Sequence, residues 1–360
     1  MADQIQSLQE QVLKARADGQ TLNIVGGGTK SFMGRTPDTN AVPLSLAEHT
    51  GVVEYHPVEL VLTVRAGTTL SEIEAVLAEE GQCLHFEPPR LGESGENGEG
   101  ATIGGTLACN LSGPARPWSG SVRDQVLGVR LLNGQGEHLR FGGQVMKNVA
   151  GYDVSRLQAG AMGTLGVMTE ISLKVMPKPA TTATLVQEMP LDSAIDYMNR
   201  RAGEPKPITG ACWLDGKVYL RLAGARSAVE ATAEQWDGEV IENGDALWKQ
   251  IQDLQHDYFA GDDPLWRFSV KSSAIMPSLD GPWLVDWAGA QRWYRGQATL
   301  RDLEPLALEA GGQVSLFRGG DRSGEVMHSQ PAALKTIQRR IKQSFDPDGL
   351  FNPGRLYSWL

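Results

Sequence analysis

Ala101-Thr102-Ile103-Gly104-Gly105-Thr106-Leu107-Ala108-Cys109-Asn110-Leu111-Ser112-Gly113 is the stretch on which the reading of this chain turns. Adjacent glycines let the backbone approach a ligand closely, because no Cβ stands in the way. Thr102, Asn110 and Ser112 add neutral hydrogen-bonding groups, which engage phosphate or ring heteroatoms without burying a charge. Upstream, an apolar run of residues 22–25 leads straight into Gly26-Gly27-Gly28-Thr29-Lys30-Ser31. Successive N–H groups in such a turn form a concave nest for an anion. A third turn of the same composition is Gly160-Ala161-Met162-Gly163-Thr164-Leu165-Gly166. Three such loops are more than one phosphate requires. They suit a long ligand with a diphosphate in the middle and a ring system at one end.

Two familiar phosphate motifs are excluded. A Walker loop needs Gly directly before Lys-Ser/Thr, but Thr29 precedes Lys30-Ser31, and Ile24 occupies the place of the first glycine. A dinucleotide fingerprint needs GxGxxG running into a helix. Here Gly26-x-Gly28 is followed by Ser31, and Gly34 and Pro37 prevent a long helix.

Around these loops the pattern is mixed. Ile5, Leu8 and Val12 mark an amphipathic helix, and residues 58–64 read as a strand. Thr69-Leu70-Ser71-Glu72 is a capping box for a helix that turns Ile73, Val76 and Leu77 inward and stops at Gly81. Asn133-Gly134-Gln135-Gly136, between the apolar runs 126–132 and 138–141, signals a hairpin. Residues 167–175 alternate as a strand before Pro177 and Pro179. We place a boundary there: a first domain over 1–178, a second α+β lobe over 179–330, and a C-terminal helix and return segment over 331–360. Trp213, Trp236, Trp248, Trp266, Trp283, Trp287 and Trp293 concentrate in the second lobe, where they read as core and interface.

With 360 residues and a net charge of −10, the chain lacks the surplus of cations that nucleic acid or an anionic lipid surface demands. No run approaches the length of a membrane span, and the N-terminus lacks the form of a signal peptide, so a cytoplasmic protein is expected, reaching a membrane only through partners. Cys83, Cys109 and Cys212 form no CxxC, and the six histidines show no metal-ligand spacing. No metal and no Cys-ligated iron–sulfur cluster is expected in this chain.

The loops at 26–31 and 101–113 resemble those of the vanillyl-alcohol oxidase, or PCMH-type, FAD-binding family. So do Gly120, Asp124, Val126 and Leu127, Gly151-Tyr152-Asp153, and Gly163-Thr164-Leu165-Gly166-Val167-Met168-Thr169-Glu170. The closing Phe345-Asp346-Pro347-Asp348-Gly349-Leu350-Phe351-Asn352-Pro353-Gly354-Arg355 is similar to that family's segment returning to the flavin. Within it, Lys147-Asn148-Val149-Ala150-Gly151-Tyr152-Asp153-Val154-Ser155-Arg156-Leu157 resembles the flavin subunits of glycolate oxidases, the smaller one in particular; Ala161-Met162 stands where the larger subunit reads Ser-Glu.

The resemblance implies an α+β fold: a two-subdomain FAD-binding domain, a smaller second lobe and a C-terminal return. It implies that Gly26, Gly27, Gly28, Thr29, Lys30 and Ser31 wrap the pyrophosphate. Thr102, Gly104, Gly105, Asn110, Ser112 and Gly113 would line pyrophosphate and ring, Gly163, Thr164, Gly166 and Val167 would hold the adenosine half, and Asn352 would approach from the far side. Relatives that bond FAD covalently often use a His in the first loop; Thr29 and Lys30 stand there instead, so non-covalent FAD is expected.

Oxidising a 2-hydroxy acid such as glycolate requires a cation for the carboxylate and a base for the hydroxyl proton. The His-x-Gly-Asp-Gly-Asn-x-His type segment of related D-2-hydroxy-acid enzymes is missing. Phe317-Arg318-Gly319-Gly320-Asp321-Arg322 with His328 has the wrong order, and reads first as a solvated basic turn. His85, in a proline-rich turn, reads first as structural. No catalytic residue is assigned. The expected role is therefore the FAD-binding subunit of a multi-subunit glycolate oxidase, beside a larger flavin subunit and an iron–sulfur subunit. The alternative is a self-sufficient D-lactate type dehydrogenase.

Overall fold

Thr69 fixes the start of one helix as its sequence requires. In the computed structural model, which describes residues 3–92, 100–144 and 152–360, Thr69 Oγ1 accepts from the Glu72 amide at 3.2 Å while the Glu72 carboxylate accepts from Thr69 N–H at 2.9 Å. The helix Leu70–Glu79 buries Leu70, Ile73 and Leu77 and ends where Gly81 turns left-handed. It packs into a core shared with a five-stranded antiparallel sheet ordered Val52–His56, Val61–Arg65, Val167–Lys174, Val126–Leu132, His138–Gly142. Asn133 Oδ1 accepts from the Gln135 and Glu137 amides and so shapes the expected hairpin.

The strand expected at 58–64 begins only at Val61. Val58 is 96% exposed in a turn closed by Glu59 N–H to His56 O and Leu60 N–H to Pro57 O. The preceding Val52–His56 is the strand that this turn joins to it. Its Val53, Glu54 and His56 face solvent at the sheet edge, which weakens the apolar signal.

The first subdomain is smaller. Strand Leu22–Val25 pairs in parallel with Val42–Ser45 and is bridged on its other side by Phe351. Leu22 N–H donates to Leu350 O at 2.7 Å, and Asn352 N–H to Leu22 O at 2.9 Å. Leu8 and Val12 of the helix Ile5–Asp18 pack with Leu22, Leu44, Val167 and Phe351 beneath this layer. The chain's return thus completes the sheet from which the first glycine loop springs.

The second sheet has eight strands, in the order Glu239–Val240, Thr181–Glu188, Lys217–Gly224, Ile208–Leu214, Trp283–Asp286, Gln291–Arg295, Leu265–Ser269, Gln313–Arg318. Helices Leu191–Ala202, Arg226–Gln235 and Leu300–Glu309 pack on it. Leu214, Leu265, Leu284, Trp293 and Phe317 face the first domain, where they meet Met33, Leu111 and Met162. Trp236, Trp248, Trp266, Trp283, Trp287 and Trp293 are buried, so these tryptophans are core.

Among the described residues no helix is long and apolar enough to cross a membrane. The Lys147-Asn148-Val149-Ala150-Gly151 stretch of the resemblance lies outside the described residues.

Candidate functional site

Leaving strand Leu22–Val25, the chain enters a loop whose shape only glycine permits. A Cβ on Gly27 would stand 2.0 Å from the Gly100 carbonyl oxygen, and one on Gly26 2.6 Å from Thr102 Oγ1. Gly28 has φ +71. The amides of Gly26, Gly27, Gly28 and Thr29 donate to no acceptor among the described residues, although the strand before them is fully paired. Gly26, Gly27 and Thr29 are half-buried and Gly28 is exposed, and a row of such amides has the shape of an anion-binding nest.

The second loop closes on the first. Thr102 caps the short helix Ile103–Ala108, its hydroxyl accepting from Gly105 N–H at 3.2 Å. Gly104 N–H donates to Ala66 O at 2.9 Å, a contact so close that a Cβ there would lie 2.7 Å from that oxygen. The third loop meets the C-terminal return through Asn352, whose Oδ1 accepts from Ile24 N–H at 2.8 Å and whose Nδ2 donates to Met162 O at 2.6 Å. One side chain thereby ties the first strand, the third glycine turn and the return together.

These loops surround one cavity of about 920 Å³ including its open mouth, lined by Gly26, Gly27, Gly28, Thr29, Lys30, Ser31, Thr102, Gly104, Gly105, Gly163, Gly166 and Asn352. The residue types fit a dinucleotide: free amides and a hydroxyl for the diphosphate, Lys30 and Arg355 as cations at its wall, and apolar Ile24, Leu46, Met162 and Met168 for ring and sugar faces. Arg355 is held by Arg35 O at 2.7 Å and Ser31 O at 2.6 Å, so its charge is fixed in place. Its pKa lies below the usual arginine value because it is buried.

Other expected residues stand outside this wall. Ser112 Oγ accepts from Val122 N–H at 3.0 Å, and Gly113 packs against the Glu87 backbone. Thr164 Oγ1 donates to Ala161 O at 2.7 Å, and Val167 is fully buried at the start of its strand. Asn110 turns left-handed, with a buried Oδ1 that has no partner among the described residues. Cys109, Met162 and Arg355 line the cavity without having been singled out; only Arg355 carried a signal, as the end of the return motif.

The candidates for substrate chemistry are not brought there. His328 Nδ1 accepts from Val314 N–H at 3.4 Å. Arg322 donates to Gly34 O and Leu316 O, and Arg318 to Phe259 O, so these arginines brace the backbone. His85 lines a separate hollow with Cys83, Glu87 and Arg221, its pKa lowered by burial.

Comparison with known proteins agrees with this geometry. Residues 1–142 match the family model described as "FAD binding domain". The chain is 45% identical over 358 residues, 99% of each chain, to glycolate oxidase subunit GlcE of Escherichia coli (strain K12). It is 35% identical over 162 residues to glycolate oxidase subunit GlcD of Bacillus subtilis (strain 168), covering 45% of this chain and 33% of that one. Among solved structures, an alkyldihydroxyacetonephosphate synthase superposes with a TM-score of 0.65 at 14% identity, covering 96% of this chain and 74% of the other, a likeness of fold. The resemblance read from the loops is therefore borne out: the chain carries an α+β FAD-binding domain and belongs to the family of glycolate oxidase subunit GlcE.

Proposed function

We propose that this chain is the FAD-binding subunit of a multi-subunit glycolate oxidase, working with a larger flavin subunit of the GlcD kind and an iron–sulfur subunit. It would act in the cytoplasm and reach the membrane only through those partners. The observation that carries the reading is the convergence of three glycine loops and the Asn352 return on one cavity, in a chain 45% identical to GlcE along its length. FAD, when bound, takes up the two electrons released when a 2-hydroxy acid becomes a 2-oxo acid. The chain's own work is to hold the diphosphate on the amides of Gly26, Gly27, Gly28 and Thr29, to offset its charge with Lys30 and Arg355, and to exclude water with Met162 and Met168. We place the boundary of the flavin domain near 178, where the chain passes from the first sheet to the second.

The visible spectrum of the purified chain, taken before and after anaerobic glycolate, tests this. A flavin spectrum that stays oxidised alone and bleaches when the partner subunits are added is the expected result. Bleaching of the isolated chain would instead make it a self-sufficient dehydrogenase. A chain that no added FAD can colour would overturn the proposal.

The cofactor should also dissociate. Among the described residues the cavity wall carries no histidine. Its one cysteine, Cys109, has a thiol pushed above its ordinary pKa by burial and is therefore a poor nucleophile. Acid denaturation is expected to release all the flavin into the supernatant. Colour that stays with the pelleted polypeptide would refute this.

A further inference from the structure

Strand Leu265–Ser269 places one charge where its neighbours are apolar. Trp266 and Phe268 pack on one face with Leu303 and Ala307 of the helix Leu300–Glu309, while Leu265 points to the opposite face and joins the cluster that meets the flavin half. Alternation puts Arg267 on that same face as Leu265. Its cross-strand neighbours are Trp293 and Ser315, and its guanidinium carbon lies 5.6 Å from the centre of the Phe317 ring.

Arg267 makes no ion pair and no hydrogen bond with any described residue. The groups that act on it electrostatically are Arg116, which repels it, and Cys109, which lines the flavin cavity. Asp286 shares a small hollow with Arg267, but its Oδ1 already accepts the Trp287 N–H at 2.7 Å, and burial raises its pKa to about 7. Burial and Arg116 bring Arg267 down to about 10, so it stays charged at neutral pH. Arg267 is half-buried, and a cation held among apolar rings without a counter-ion is costly to a fold; its planar fork matches a carboxylate with two parallel hydrogen bonds.

We propose that Arg267 binds the carboxylate of a small 2-hydroxy acid at the Cys109 end of the flavin cavity, giving this subunit a substrate-binding site of its own. The proposal rests on the reading that this chain holds FAD. Arg267 would anchor and orient the acid beside the flavin; it moves no proton.

The test uses the full chain loaded with FAD and titrated with oxalate, a planar two-carbon acid that cannot be oxidised by hydride loss. Oxalate is expected to perturb the visible flavin spectrum. Arg267→Met should keep FAD while weakening oxalate about 10- to 100-fold, with Arg267→Lys between the two. Because a core variant can fail to fold, a second arm uses the unaltered chain. Phenylglyoxal should modify Arg267, and oxalate should protect it, as read by peptide mass mapping. Unchanged oxalate affinity in Arg267→Met, no protection, or an FAD-loaded chain whose spectrum ignores oxalate would each overturn the inference and leave the flavin reading intact. A chain that takes up no FAD removes both.

Discussion

Gly27→Ala should yield a folded but colourless chain. The added Cβ would stand 2.0 Å from the Gly100 carbonyl oxygen, and Gly100 is backbone, so no side chain can swing aside to make room. One of the two loops must move, and the row of amides at Gly26, Gly27, Gly28 and Thr29 loses its aim. Losing two charge-assisted hydrogen bonds of about 1.5–3 kcal/mol each predicts roughly a 100- to 20,000-fold drop in FAD affinity. Flavin fluorescence titration of the apo chain reads this directly. Gly324→Ala is the matched control, since a Cβ there meets nothing within 4 Å and φ is not positive. Near-normal FAD affinity in Gly27→Ala would mean that the loop is an ordinary turn.

The second large effect lies at Lys342 and Asp346. The helix Ala332–Phe345 buries one residue only, and that residue is a lysine. Lys342 Nζ donates to Asp346 Oδ2 at 2.6 Å, Thr164 O at 2.7 Å and Phe351 O at 2.9 Å. Asp346 accepts in turn from Leu350 N–H at 2.9 Å and Phe351 N–H at 2.8 Å. Both charges are enclosed and fully hydrogen-bonded, and removing one strands the other. Asp346→Ala is expected to cost about 3–5 kcal/mol of stability. The segment it anchors carries Asn352 and Arg355 to the cavity, so FAD affinity should fall with it. Urea unfolding of Asp346→Ala, Lys342→Met and the double variant measures the coupling. The double variant should lose clearly less than the sum of the singles. Strict additivity would show that the two charges do not depend on each other.

Much of this was legible in the sequence because its cause is local. A capping box at Thr69, the Asn133 turn and glycines that must approach backbone are all written within a few residues. The misplaced strand at 58–64 shows the limit: His56 and Pro57 close a turn that leaves Val58 in water, and an exposed valine looks like any other. Of the cavity, the near wall could be read and the far wall could not. Met162 and Cys109 become lining residues only once the third turn folds against the return. Arg267 was unreadable for the same reason. In sequence it is one arginine between Trp266 and Phe268; only the pairing of its strand with Gln291–Arg295 and Gln313–Arg318 sets it between Trp293 and Ser315, on the face that carries Leu265.

Asn352 and Ile24 are joined across 328 residues. At a synthesis rate of about 5–20 residues per second, the first glycine loop leaves the ribosome roughly 20–60 s before the segment that closes its cavity. During that interval the nest of amides exists without its far wall, and the whole second lobe is still to be made. Flavin loading would then be a late event in the life of the polypeptide, and a chain stalled or clipped shortly before Asn352 would be left with most of its fold and none of its colour.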